Sequence, residues 1–159
     1  MTKKYRGRPQ ITNEMGRWQL VPFTFAQAEV AANQAAAALL PIEVHGAVVL
    51  DNLGYTMPFA GYVVGISLNL SAAASAGELT VAPTRDATVT ANPEVTVSTA
   101  MVGADMCKRT RNYFEANAVI GAKVTTDGSW DGTASDLLVQ VWVLLHITGT
   151  AQGLIGRPQ

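Results

Sequence analysis

Apolar and polar positions alternate along much of this chain, most sharply near its C-terminal end. Residues 136–148 read D-L-L-V-Q-V-W-V-L-L-H-I-T. Side chains alternate across a strand, so Leu137, Val139, Val141, Val143, Leu145 and Ile147 share one face, which is a core face. The opposite face carries Leu138, Gln140, Trp142, Leu144 and His146 and is too apolar to stay in water. A small domain cannot easily bury both faces of one strand. The pattern predicts a β-sandwich whose second face is covered by another subunit or by the chain's own N-terminal arm. Residues 118–147 as a whole predict a pair of strands closing around a turn that contains Trp130.

Strand signals recur upstream, with Gly, Pro, Asn or Asp between them. Residues 42–50 are apolar and β-branched, and Asp51-Asn52-Leu53-Gly54 makes a turn. Within residues 60–70 the alternation puts Tyr62, Val64, Ile66, Leu68 and Leu70 on one face and Gly61 and Gly65 on the other. Leu79 and Val81 form a short strand ending before Pro83, and residues 87–90 form another. Residues 94–99 follow with Val95 and Val97 inward, then 107–114, 119–126 and 137–148. About eight strands at short spacing predict a sandwich, a jelly roll or a small barrel. Residues 24–40 are ambiguous. Thr24 with Gln27 fits a capping box, alanine is abundant and Pro41 would stop a helix, whereas Val21, Phe23 and Phe25 alternate like a strand.

Residues 1–20 have no periodicity and contain Gly7, Pro9 and Gly16, which predicts an arm that is ordered only when docked. The expected organisation is an arm over 1–20, a β-domain over 21–148 and a tail over 149–159. Only 14% of the residues are charged and 48% are apolar, a lean surface that suits burial by neighbours. The arm carries Lys3, Lys4, Arg6, Arg8 and Arg17 against Glu14, a balance of +4. The rest holds six basic and eleven acidic residues, a balance of −5. A basic arm on an acidic body points to an acidic partner. Gly7-Arg8-Pro9-Gln10 recurs as Gly156-Arg157-Pro158-Gln159, either by coincidence or to fill equivalent pockets on neighbouring molecules.

Candidate chemistry is sparse. Cys107 is the only cysteine, which excludes an intrachain disulfide and a thiolate cluster. No apolar run follows the basic N-terminal residues, so no signal peptide is expected. The apolar run 137–145 is too short to span a bilayer, so no membrane partner is expected either. His45 and His146 lie in Val- and Leu-rich strand patterns, and no nucleophile–base constellation, phosphate loop or dinucleotide fingerprint is present. No catalytic residue and no cofactor is therefore expected. Asp127, Asp131 and Asp136 surround Trp130, but their spacing fits no calcium loop, and turn formation is the better reading. No metal is expected. Trp130 could stack on a sugar, or pack over the end of the sandwich. Arg6-Gly7-Arg8-Pro9 resembles the core of a minor-groove hook, yet four residues match weakly and a protein-docking arm is preferred to nucleic acid. Lys108 falls on the opposite strand face from Arg109 and Arg111, so these three form no single patch.

Several segments resemble small bacteriophage virion proteins. Tyr55-Thr56-Met57-Pro58-Phe59-Ala60-Gly61-Tyr62-Val63-Val64-Gly65-Ile66-Ser67 is similar to a strand pair of that family, and residues 76–81 to its next strand. Residues 120–127, Trp130, Thr133, Asp136 and 137–143 resemble its C-terminal strand pair, and Val30-Ala31-Ala32-Asn33-Gln34 an early turn. The family comprises decoration proteins, head fibres and tail-fibre domains, commonly jelly-roll-like and trimeric. The resemblance implies a strand–turn–strand for residues 23–40, overriding the helical propensity. It also implies an all-β, jelly-roll-like sandwich of about eight strands with an extended arm, acting as a capsid decoration protein on the virion exterior after assembly in the host cytoplasm. The partners implied are the major capsid protein, docked through Lys3, Lys4, Arg6, Arg8 and Arg17, and two further copies of the chain, meeting at Leu138, Trp142 and Leu144. The alternative is a receptor- or glycan-binding domain of a head or tail fibre, using Trp130.

Overall fold

A computed structural model describes residues 17–41, 54–90, 92–107 and 112–147. Twelve strands occur among them: β1 (Arg17–Gln27), β2 (Ala37–Ala38), β3 (Leu40–Pro41), β4 (Tyr55–Thr56), β5 (Gly61–Leu70), β6 (Leu79–Arg85), β7 (Thr88–Val89), β8 (Val95–Val97), β9 (Val102–Met106), β10 (Tyr113–Phe114), β11 (Val119–Thr126) and β12 (Leu137–Ile147). The first sheet runs β10-β5-β12-β1-β3, with β9 also on β5. The second runs β2-β11-β6-β7, with β4 on β11 and β8 on β6. All pairings are antiparallel.

Eight strands define the topology. Taken in chain order, β1, β2, β5, β6, β8, β9, β11 and β12 pair as first with last, second with seventh, third with sixth and fourth with fifth. The remaining neighbours are β12 with β5 and β11 with β6. A long antiparallel ribbon rolled into two facing sheets has this nesting, and that is a jelly roll. The expected all-β, jelly-roll-like sandwich is the architecture observed.

The inward faces of the two sheets form one core. On β12, Leu137, Val139, Val141, Val143 and Leu145 are buried, as the alternation predicts. They meet Ile120, Ala122 and Val124 of β11, Leu79 and Val81 of β6, and Val95 and Val97 of β8. Burying each large apolar side chain contributes roughly 1.5–3 kcal/mol, and a one-residue slip would turn all of them to solvent. That cost fixes the register.

Several expectations are corrected. Residues 118–147 are not a strand pair: β11 and β12 lie in opposite sheets, and the Trp130 turn crosses between them. The arm does not extend to residue 20, because Arg17 already pairs with Ile147 and β1 follows β12 for eleven residues. Tyr62 faces outward, not into the core. A bulge opposite Trp142 and Val143 leaves Val64 without a partner on β12, so the alternation of β5 changes phase there. β6 does not end before Pro83. The Pro83 carbonyl accepts from Thr90 N–H at 2.9 Å, so its backbone faces the gap between β7 and β8 on that edge. A residue lacking N–H costs little there. β9 has no counterpart among the expected strands.

Residues 23–40 are strand–turn–strand, as the resemblance implies. Glu29, Asn33 and Ala36 have φ of 50°, 58° and 53°, which no right-handed helix accommodates. Their neighbours bond across the molecule instead, Val30 N–H to Ser135 and Leu39 N–H to Ala122. Both Val30 and Leu39 are fully buried, and that tertiary burial outweighs a propensity of a few tenths of a kcal/mol per residue. The strand expected over 42–50, together with His45, Lys108, Arg109, Arg111, the tail and both Gly-Arg-Pro-Gln copies, lies outside the described residues.

Candidate functional site: an uncharged outward sheet face

The outward face of the first sheet is built by alternation from four strands. β1 supplies Trp18, Leu20, Pro22, Thr24 and Ala26, lying beside His146, Leu144, Trp142, Gln140 and Leu138 of β12. β5 adds Tyr62, Gly65, Ser67 and Asn69. β9 adds Met106, Ala104 and Val102 opposite the last three. His146 is the only ionisable side chain of the usual charged types among these residues. Leu20, Leu138, Val102 and Met106 are exposed, the last two by 63% and 76%, whereas Trp142 and Leu144 are half-buried. The three expected interface residues, Leu138, Trp142 and Leu144, therefore all lie on this face.

Opposite Trp142 stands Gly65. A Cβ placed there would lie 3.5 Å from Trp142 Cβ and from Met106 Cγ, ordinary contact. The face is therefore low between two large side chains, a shape set by the missing side chain rather than by a cavity. At the end near the termini an aromatic group gathers. Trp18 stacks on His146 with centroids 4.5 Å apart and lies 5.7 Å from Tyr62, which lies 5.4 Å from Tyr113. The hydrogen bond from Tyr113 to the Glu115 carboxylate is the main cause raising the phenol above its ordinary value. The second sheet differs: Thr80, Thr96, Lys123 and Thr125 face outward, with the Thr80 and Thr96 hydroxyls 2.7 Å apart.

The Trp130 turn is a structural plug: of the two readings of this residue, packing over the end of the sandwich is the one observed. Trp130 is 3% exposed and its Nε1–H donates to the Val30 carbonyl at 3.2 Å. Gly132 lies flat against the indole, where a Cβ would meet Cζ2 at 2.4 Å. No ring face is left for a ligand. The three nearby carboxylates each serve a different turn. Asp131 accepts from the Ser75 and Ala76 amides at 2.9 and 3.0 Å and from the Ser75 hydroxyl. Asp127 accepts from Ser129 N–H, and Asp136 from Glu29 N–H. The Ser75 hydroxyl, followed by the two amides, holds Asp131 below the usual carboxylate range. Among the described residues no group of three or more His, Cys, Asp or Glu is placed to hold a metal.

Of the expected docking arm, only Arg17 is described. It is exposed at the start of β1, while Lys3, Lys4, Arg6 and Arg8 lie outside the described residues. Trp18, Leu20, Val102 and Met106 belong to the face but escape a sequence reading. Trp18 and Leu20 sit in a segment without clear periodicity, and β9 is five residues with one glycine. The alternation of Val102, Ala104 and Met106 was the available signal.

No protein-family model and no curated protein matches the chain. Among solved structures, a chain of the cyanophage Pam1 capsid asymmetric unit is similar at 11% identity and a TM-score of 0.45, over 91% of this chain and 96% of that one. A chain of desmodium yellow mottle tymovirus is similar at 12% identity and a TM-score of 0.43, over 94% and 98%. At these values neither likeness assigns a partner or a role to this chain.

Proposed function

We propose that this chain is a structural protein of a tailed-bacteriophage virion, a decoration protein that binds the capsid exterior. Its mechanism is binding rather than catalysis. Copies associate as a homotrimer through the outward face of the first sheet, and the basic N-terminal arm reaches an acidic surface of the major capsid protein.

The observation that carries this reading is the absence of Asp, Glu, Lys and Arg among the described residues of that face. Contiguous apolar surface beyond a few hundred Å² marks an interaction site in most soluble proteins, and its burial contributes roughly 25 cal/mol per Å². The threonine- and lysine-bearing face of the other sheet has no such need of a cover. The sequence resemblance to small virion proteins supports the choice of partner, and the +4 balance of the arm supports its target.

Sedimentation equilibrium of the full chain tests the association. Trp142→Glu and Leu138→Glu place a charge on the face without touching the core, so each is expected to abolish the three-chain association and lower the assembled mass while preserving the β-sheet circular dichroism spectrum. A wild-type protein that stays monomeric at high concentration would sink the reading.

A further inference from the structure

We propose that β9 is a strand-addition site for a second copy of this chain, the two β9 strands pairing antiparallel about a two-fold axis at Ala104. Among the described residues β9 is on the rim of the first sheet, hydrogen-bonded to β5 on one side only. Two bonds fix which of its groups face β5: Leu70 N–H donates to the Met101 carbonyl at 2.7 Å, and Cys107 N–H donates to the Val64 carbonyl at 3.0 Å. Bonding alternates along an antiparallel pair, so residues 101, 103, 105 and 107 turn their backbone groups to β5. Val102, Ala104 and Met106 turn theirs away. None of these three takes a hydrogen bond among the described residues.

The devices that usually protect a sheet edge are weak here. Val102–Met106 contains no Lys, Arg or Pro, and its register with β5 is unbroken by a bulge. Asp105 alone is charged. It points to the opposite face, where it accepts from Glu94 N–H at 3.1 Å. Val102 and Met106 are also the two most exposed large apolar side chains among the described residues. An open row of donors and acceptors thus coincides with an open row of apolar side chains.

A second copy fits this edge because the edge is self-complementary. With Ala104 on the two-fold axis, Val102 stands opposite Met106 of the second copy, and every outward donor and acceptor of the three residues is used. The same register sets Asp105 opposite Gly103 of the second copy, so the two carboxylates do not face each other. A shift of two residues in either direction leaves one end unpaired. The contact is isologous, and it joins the two first sheets and their uncharged faces into one.

Area decides how the contact acts. Five residues a side bury less than the roughly 1,200 Å² of a stable interface, so the edge by itself is weak. It doubles an assembly already held through the sheet face, where several edges act at once. In that respect the inference rests on the proposed self-association, but face and edge are separable by mutation.

Ala104→Pro is the discriminating variant. It removes an N–H that has no partner among the described residues, and proline is tolerated on an edge strand in that orientation. Sedimentation equilibrium over a rising concentration series is expected to give wild type twice the mass of Ala104→Pro, with unchanged circular dichroism and thermal midpoint. Val102→Pro, which removes a second outward N–H and adds no charge to the face, is expected to halve the mass in the same way, and serves if the first proline variant does not fold. Equal masses for wild type and both edge variants would overturn the proposal. If Trp142→Glu leaves the mass unchanged while the edge variants halve it, the face reading fails and the edge contact stands.

Discussion

Asp131 shows how one side chain can hold two distant segments together. Its carboxylate ties the 75–76 backbone to the turn after Trp130, and those bonds favour the ionised form. The folded-state value therefore lies below the unfolded one. Such a group contributes stability that is fully present above the unfolded value and lost as pH falls through the folded one. Asp131→Ala is expected to lower the urea midpoint at neutral pH, with the difference from wild type closing as the pH falls through and below the ordinary carboxylate range. A difference that stays constant across that range would remove the carboxylate from the explanation. The type of residue was legible in the sequence, since Asp beside Gly forms turns. Its partner Ser75, fifty-six positions away, was not.

At the scale of the element, β12 separates stability from association along a single strand. Leu137 is 1% exposed and Leu138 is 39% exposed. Leu137→Ala is expected to cost about 2–5 kcal/mol in chemical denaturation. Leu138→Ala is expected to change monomer stability by less than about 0.5 kcal/mol while weakening self-association measured by sedimentation. Equal effects of the two on stability would mean that the outward face is internally covered. The faces of β12 were readable because eleven residues alternate without interruption. β5 was misread at Tyr62 because its bulge is a property of the pairing with β12, and no local residue pattern announces it. β9 was missed for a related reason: five residues containing Gly103 look like a loop until Val95 and Val97 are seen closing over that glycine.

At the scale of the whole molecule, the chain that builds this face also carries a basic N-terminal sequence, of which Arg17 opens β1. Arg17 and Ile147 are paired. Removal of residues 2–16 stops short of β1 and is expected to leave a folded oligomer that no longer coats capsids, measured by occupancy in electron micrographs. Unchanged occupancy would exclude the arm as the attachment. The cut at residue 16 rather than 20 matters, because Arg17, Trp18, Gln19 and Leu20 each pair with β12, and their loss would confound docking with folding.

The amino-acid sequence by itself determined the strand class of this protein, the inward residues of β8 and β12, and the surplus of apolar side chains on the outward face of β12. These are consequences of period-two alternation, which is local. Only the tertiary structure decided that β11 and β12 part to opposite sheets, that residues 28–36 turn instead of forming a helix, and that Trp130 is a plug rather than a contact. It also decided that four strands pool their outward side chains into one uncharged face with an open edge at β9. Each of those depends on which strands become neighbours, and the rolled-up pairing of first with last joins residues far apart in the chain. Alternation within a strand tells which side chains turn together. The fold alone tells what they turn toward.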